Sequence, residues 1–106
     1  MLEVNCTNEE KVNVTLHPVT STGKPAQIDG VPTWTVQSGE GTATPSGDGM
    51  SCFCVSSDNP GDTQYLVEAD ADVGSGVQTI SDIVTLHVAG AQAQALGITA
   101  DTPVPK

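Results

Sequence analysis

Nucleophilic catalysis needs a histidine or an activated lysine beside a serine or cysteine. The chain offers two histidines, His17 and His87, three lysines and no arginine. Both histidines take polar positions in alternating segments and read as outward-facing, and no serine sits in a glycine-rich elbow. If the strands carrying them met, the two imidazoles would form part of a metal site; the simpler reading, adopted here, is a pair of solvated strand histidines. The expectation is a protein without enzymatic activity.

Cys52 and Cys54 sit two apart on an expected strand, so both thiols point to one face. Their spacing along the strand, roughly 6–7 Å, is too long for easy disulfide geometry. Structural zinc wants four ligands in paired, looped spacings, and a Cys-x-Cys with a distant Cys6 does not supply them. The three cysteines therefore read as reduced, small core residues made in a reducing cytoplasm. Asn5-Cys6-Thr7 and Asn13-Val14-Thr15 match the glycosylation sequon, but no export signal accompanies them and they read as chance matches.

Glu68, Asp70 and Asp72 follow at i, i+2, i+4, which puts three carboxylates on one face of one strand. Their mutual repulsion weakens an isolated strand, and a cation or a basic partner would relieve it. Calcium takes oxygen ligands of this kind, but the Asp-rich glycine loop that would specify it is absent. A solvated acidic face is the alternative, and no cofactor or metal is expected. Phe53, Leu66 and Ile83 form a last set, since alternation turns all three away from the core, where a cluster would mark a contact patch. A register shifted by one residue would instead place them inside.

The bulk composition narrows the partners. Thirteen acidic residues against three lysines give 106 residues a formal charge of −10. Phosphate neutralisation needs clustered Lys and Arg, so neither nucleic acid nor anionic lipid is an expected partner. No apolar stretch approaches the ~20 residues of a membrane helix, and the start at Met1-Leu2-Glu3-Val4-Asn5 shows no signal-peptide pattern.

Thirteen valines, thirteen threonines and 18 Gly or Pro residues favour short pleated strands punctuated by turns. Val12, Val14 and Leu16 alternate with polar neighbours, and Pro18 limits how far that strand pairs. Further strands are expected at Leu2 to Cys6, Thr33 to Gln37, Thr42 to Thr44, Met50 to Val55, Tyr65 to Asp72 and Ile80 to Val88. Turn chemistry stands at 20–25, Asp29-Gly30, Asp48-Gly49, 59–62 and Gly74-Ser75-Gly76. Val84, Leu86 and Val88 face inward, with Thr85 and His87 outward, and Ile83 beside Val84 suggests a bulge or sheet crossing near Asp82. About seven short strands of this kind make a β-sandwich over residues 1–89, with Val14, Trp34, Tyr65, Val67 and Leu86 in its core. Residues 90–106, rich in Ala, Gly and Pro, read as an arm or linker.

Trp34, Asp62-Thr63-Gln64-Tyr65-Leu66-Val67 and Val84-Thr85-Leu86-His87-Val88 resemble an immunoglobulin-like sandwich. More narrowly, Val31-Pro32-Thr33-Trp34, Asp48-Gly49-Met50 and Ala69-Asp70-Ala71-Asp72-Val73-Gly74 look like bacterial immunoglobulin-like domains of the group 2 type, found in phage and prophage proteins. The resemblance spans about residues 10–89. Val14 and Val67 stand near where antibody domains carry their inter-sheet disulfide, so packing alone must hold this core. Tyr65 resembles the tyrosine-corner residue with Asp62 one position closer than the usual spacing, and the stretch from Leu16 to Trp34 suggests an inserted loop around 25–30. Such domains, as the family implies, decorate capsids, tails and fibres or are strung in surface adhesins.

The expected function is that of a structural virion protein, synthesised in the host cytoplasm and bound to capsid or tail subunits, or to copies of itself. The alternative is a recognition module for carbohydrate or a host-surface protein. Sugar recognition would want exposed aromatic platforms, and only Phe53 is a candidate.

Overall fold

The computed structural model describes residues 1–74 and 76–106. Among them the chain is all-β, without a helix or a disulfide. The strands are β1 (Leu2–Thr7), β2 (Lys11–Thr15), β3 (Asp29–Ser38), β4 (Thr42–Pro45), β5 (Ser51–Val55), β6 (Gly61–Asp72) and β7 (Val77–Ala89). They form two sheets, ordered β1-β7-β6-β3 and β2-β5-β4. β1 runs parallel to β7, whereas the other paired strands are antiparallel.

Period-two burial explains why these segments pair as they do. Tyr65, Val67 and Ala71 on β6 and Val84, Leu86 and Val88 on β7 are buried on the face turned to the second sheet. Val14, Cys52 and Cys54 answer from β2 and β5, and Trp34 from β3 completes the contact between the layers. The core is valine-rich and thin, so hydrogen bonds crossing it matter more than in a leucine core. The Trp34 indole N–H donates to the Gly49 carbonyl at 2.8 Å, tying β3 to the β4–β5 turn. Gly49 has φ +70°, and a Cβ there would stand 2.7 Å from the Pro32 carbonyl oxygen, so both backbone and space require glycine. Asp48 builds the same turn by accepting from the Ser46 hydroxyl at 2.7 Å and the Met50 N–H at 3.0 Å, which holds its carboxyl below the usual range.

Several strand limits differ from the local expectation. β3 begins at Asp29, through the Asp29-Gly30 pair read as a turn, because Asp29 pairs with Asp70 before the register shifts ahead of Thr33. β6 begins at Gly61, inside the stretch read as a loop, because Gly61 and Asp62 pair with Val88 and His87. Long-range pairing overrides the local turn residues at both places. The bulge expected near Asp82 is corrected: the β6–β7 register runs unbroken from Gly61↔Val88 to Asp72↔Val77. Ile83 simply takes the outer face, opposite Leu66, and the irregularity lies in β3 instead. Thr85 does point outward yet is only 5% exposed, flanked in register by Glu3 and Gln64. Of the Gly74-Ser75-Gly76 turn, Ser75 lies outside the described residues; Val73 closes it by donating to the Gly76 carbonyl at 3.2 Å.

Strand lengths set the molecule's two ends apart. β6 and β7 have 12 and 13 residues, against four or five in each strand of the second sheet. The hairpin tip therefore overhangs its partner layer. The β2–β3 connection, residues 16–28, lies over the overhang as a small hairpin of its own, closed by Ala26 N–H to Pro18 O at 2.9 Å and Thr20 N–H to Lys24 O at 2.7 Å. At the opposite pole β7 ends beside the β1–β2 turn, and residues 90–106 continue without a strand.

Candidate functional site

Glu68, Asp70 and Asp72 lie together on the outer face of the four-stranded sheet, as their spacing requires. Local partners occupy two of them. The Thr79 hydroxyl donates to Asp70 at 2.7 Å, and the Gly74 N–H donates to Asp72 at 2.9 Å. Asp29 on β3 pairs with Asp70 on β6, and a shallow cleft of about 170 Å³ lies beside Val31, Thr33, Glu68 and Asp70. Among the described residues no three His, Cys, Asp or Glu side chains converge as a metal centre.

The set Phe53, Leu66 and Ile83 is divided between the two sheets. Leu66 and Ile83 are direct register partners on β6 and β7. Phe53 lies on β5 in the other sheet, so the three do not form one patch. Phe53 is 39% exposed, and the Lys11 ammonium lies 4.5 Å from its ring centroid, a cation–π contact that covers one aromatic face.

The two histidines are not neighbours. His17 follows β2 and, as one of residues 16–28, lines the overhang. His87 lies on β7 and bridges strands on either side of it. Its Nδ1 is 2.9 Å from Asp62 Oδ1 on β6, and its Nε2 is 3.3 Å from Glu3 Oε1 on β1. A neutral imidazole donates through one nitrogen only, whereas imidazolium donates through both. The hydrogen bonds to Asp62 first, and to Glu3 second, raise the His87 pKa above the ordinary histidine value. Sequence reading missed this array because Glu3 and Asp62 are 84 and 25 residues away and only the strand order brings them together.

All three thiols are free, with Cys52 and Cys54 buried. Burial, then the neighbouring Cys52, pushes the Cys54 thiol up to about 12, which keeps it protonated and inert at neutral pH. Tyr65 is raised for the same reason, burial first and the thiols after. Its hydroxyl donates to the Val55 carbonyl at 3.2 Å, rather than closing a corner with Asp62. Asp62 instead faces outward to His87.

The overhang itself forms an open groove of about 730 Å³. Its floor is the inner face of the β6–β7 tip, with Ala69, Ala71, Val73 and Ile80, and its roof is residues 16–28. Ile80 is 50% and Val73 48% exposed, because the second sheet stops short of them. No sequence signal marked this groove; it follows from unequal strand lengths. At the far pole Leu96, Ile98 and Val104 of the arm are more than 80% exposed.

No protein-family model, curated protein or solved structure matches this chain.

Proposed function

We propose that the chain is a non-enzymatic structural protein of a phage virion, an immunoglobulin-like capsid-decoration or head–tail accessory subunit that acts through protein–protein contact. The observation that carries this reading is the extended arm. The radius of gyration is 19.3 Å and the longest dimension 74 Å, against about 13 Å for the gyration radius of a compact domain of this size. An apolar arm on a small β body is suited to docking on a neighbour.

The immunoglobulin-like part of the reading draws on strand order. One sheet contains the third, sixth and last strands, the other the second, fourth and fifth, as in the constant-type arrangement. The departure is β1, which pairs in parallel with the last strand instead of joining the second. Many symmetry copies on a particle would give avidity to a weak individual contact. The alternative, a carbohydrate-binding module, has less support because Lys11 already stacks on the one outward aromatic ring, Phe53.

Density-gradient fractionation of source-cell lysate after phage induction tests the proposal. The chain is expected to migrate with intact particles; recovery only in the soluble fraction would overturn it.

A further inference from the structure

The groove floor and the arm both expose apolar side chains at opposite poles of the sandwich, and the groove lining also includes Asp72 and Asp82. We propose that the groove beneath residues 16–28 receives the Leu96–Ile98 stretch of the arm of a second copy of this chain. The inference builds on the reading of a protein that works by protein–protein contact and names the partner of one surface.

Three observations carry it. The first is apolar fit without a local occupant. The groove floor leaves Val73 and Ile80 about half exposed, whereas Leu96 and Ile98 are 89% and 86% exposed. Leu96 and Ile98 flank Gly97, whose φ of +64° bends the arm between the two exposed side chains. The second is direction. β7 carries the chain away from the hairpin tip, ends beside Thr7 and Asn8, and feeds an arm that lengthens the molecule to 74 Å. The arm thus reaches toward a neighbour and away from its own groove.

The third is charge. Residues 1–89 hold twelve acidic side chains and two lysines, so two bodies repel face to face. Residues 90–106 hold one aspartate and one lysine, and so can approach an acidic body without that cost. The contact is head-to-tail, joining different surfaces of the two copies. It therefore propagates into rings or filaments instead of stopping at a two-fold dimer.

The test uses the full chain, mixed from equal parts of heavy- and light-nitrogen protein, with a photoreactive benzoylphenylalanine replacing Leu96. Cross-linked peptides are expected to join residue 96 to residues 16–28 and 67–82 as mixed-isotope pairs. Ile80→Asp alters a half-exposed residue at the groove floor and is expected to lower their yield by at least about tenfold, with an unchanged circular dichroism spectrum. Same-isotope pairs alone, cross-links scattered over the body, a yield indifferent to Ile80→Asp, or no mixed pairs at about 1 mM chain would each overturn the inference. A groove found by native mass spectrometry to hold a small apolar molecule, with the chain monomeric, would overturn it as well. Mixed-isotope pairs from a chain that never accompanies particles would sink the virion proposal and leave this one standing.

Discussion

The Tyr65 hydroxyl on β6 donates to the Val55 carbonyl on β5 at 3.2 Å, joining the two sheets across the core. Tyr65 is fully buried and Gly41 is packed against its oxygen, since a Cβ at position 41 would lie 2.6 Å from the hydroxyl and 2.8 Å from the Val55 carbonyl. Gly41 in turn donates its N–H to the Thr63 hydroxyl at 3.0 Å. The result is a small polar lock inside an otherwise apolar layer, in which each member excludes water from the others.

Gly41→Ala and Tyr65→Phe are therefore expected to destabilise the fold by about 1–3 kcal/mol each. The double variant should lose less than the sum, because both changes remove the same hydrogen bond. Urea unfolding followed by Trp34 fluorescence measures this, and full additivity would contradict a shared lock.

Trp34→Phe keeps most of the ring volume but leaves the Gly49 carbonyl without its buried donor. The expected cost is about 1–3 kcal/mol, rising to about 3–5 kcal/mol for Trp34→Ala, which also opens a cavity. Circular dichroism must follow these variants, because Trp34 is the single tryptophan. Equal losses in the two variants would show that the hydrogen bond, and not the ring, dominates.

The His87 array predicts a pH dependence whose sign follows from its raised pKa. A folded-state value above the unfolded one means that protonated His87 is favoured by folding. Its stabilising contribution is fully present below the unfolded value of about 6.5 and is lost as pH rises through the folded value. The melting temperature of the parent relative to His87→Gln should accordingly fall from about pH 5.5 to about pH 8.5. A constant or rising difference would contradict the array. Because Glu3 is one of the two partners, amide exchange in β1 is expected to quicken over the same interval.

The parts of this molecule legible in its sequence are those governed by alternation. Tyr65, Val67 and Ala71, like Val84, Leu86 and Val88, are buried as a period of two requires, and Cys52 and Cys54 take one face. Residues whose environment depends on a distant partner were not legible. Gly61-Asp62 and Asp29-Gly30 carry turn chemistry, yet pairing with β7 and β6 draws them into strands. Thr85 shows only a polar side chain in an outward position, whereas its burial comes from its neighbours Glu3 and Gln64. Spacing put the three carboxylates of β6 on one face, but it could not divide Phe53 from Leu66 and Ile83, because sheet membership is not a local property. The groove lay furthest from view. It arises from the difference in length between two sheets, and no single residue encodes that.

A net charge of −10 on a thin valine core predicts that screening stabilises the fold. Raising sodium chloride from about 0.01 M to about 1 M shortens the Debye length from roughly 30 Å to roughly 3 Å. The melting temperature should rise over that range despite weakening of the His87 ion pairs. A flat or falling curve would mean that those pairs outweigh the repulsion among the twelve acidic side chains of residues 1–89.

A chain proposed as a built-in part of a particle must hold a fixed copy number there, and that number tests the proposal. Gradient-purified particles, washed in high salt, would be digested and the chain quantified by mass spectrometry against the major coat subunit. A fixed ratio of the two across independent preparations is expected. A chain that is absent, or present only in traces that vary between preparations and wash away, would contradict it.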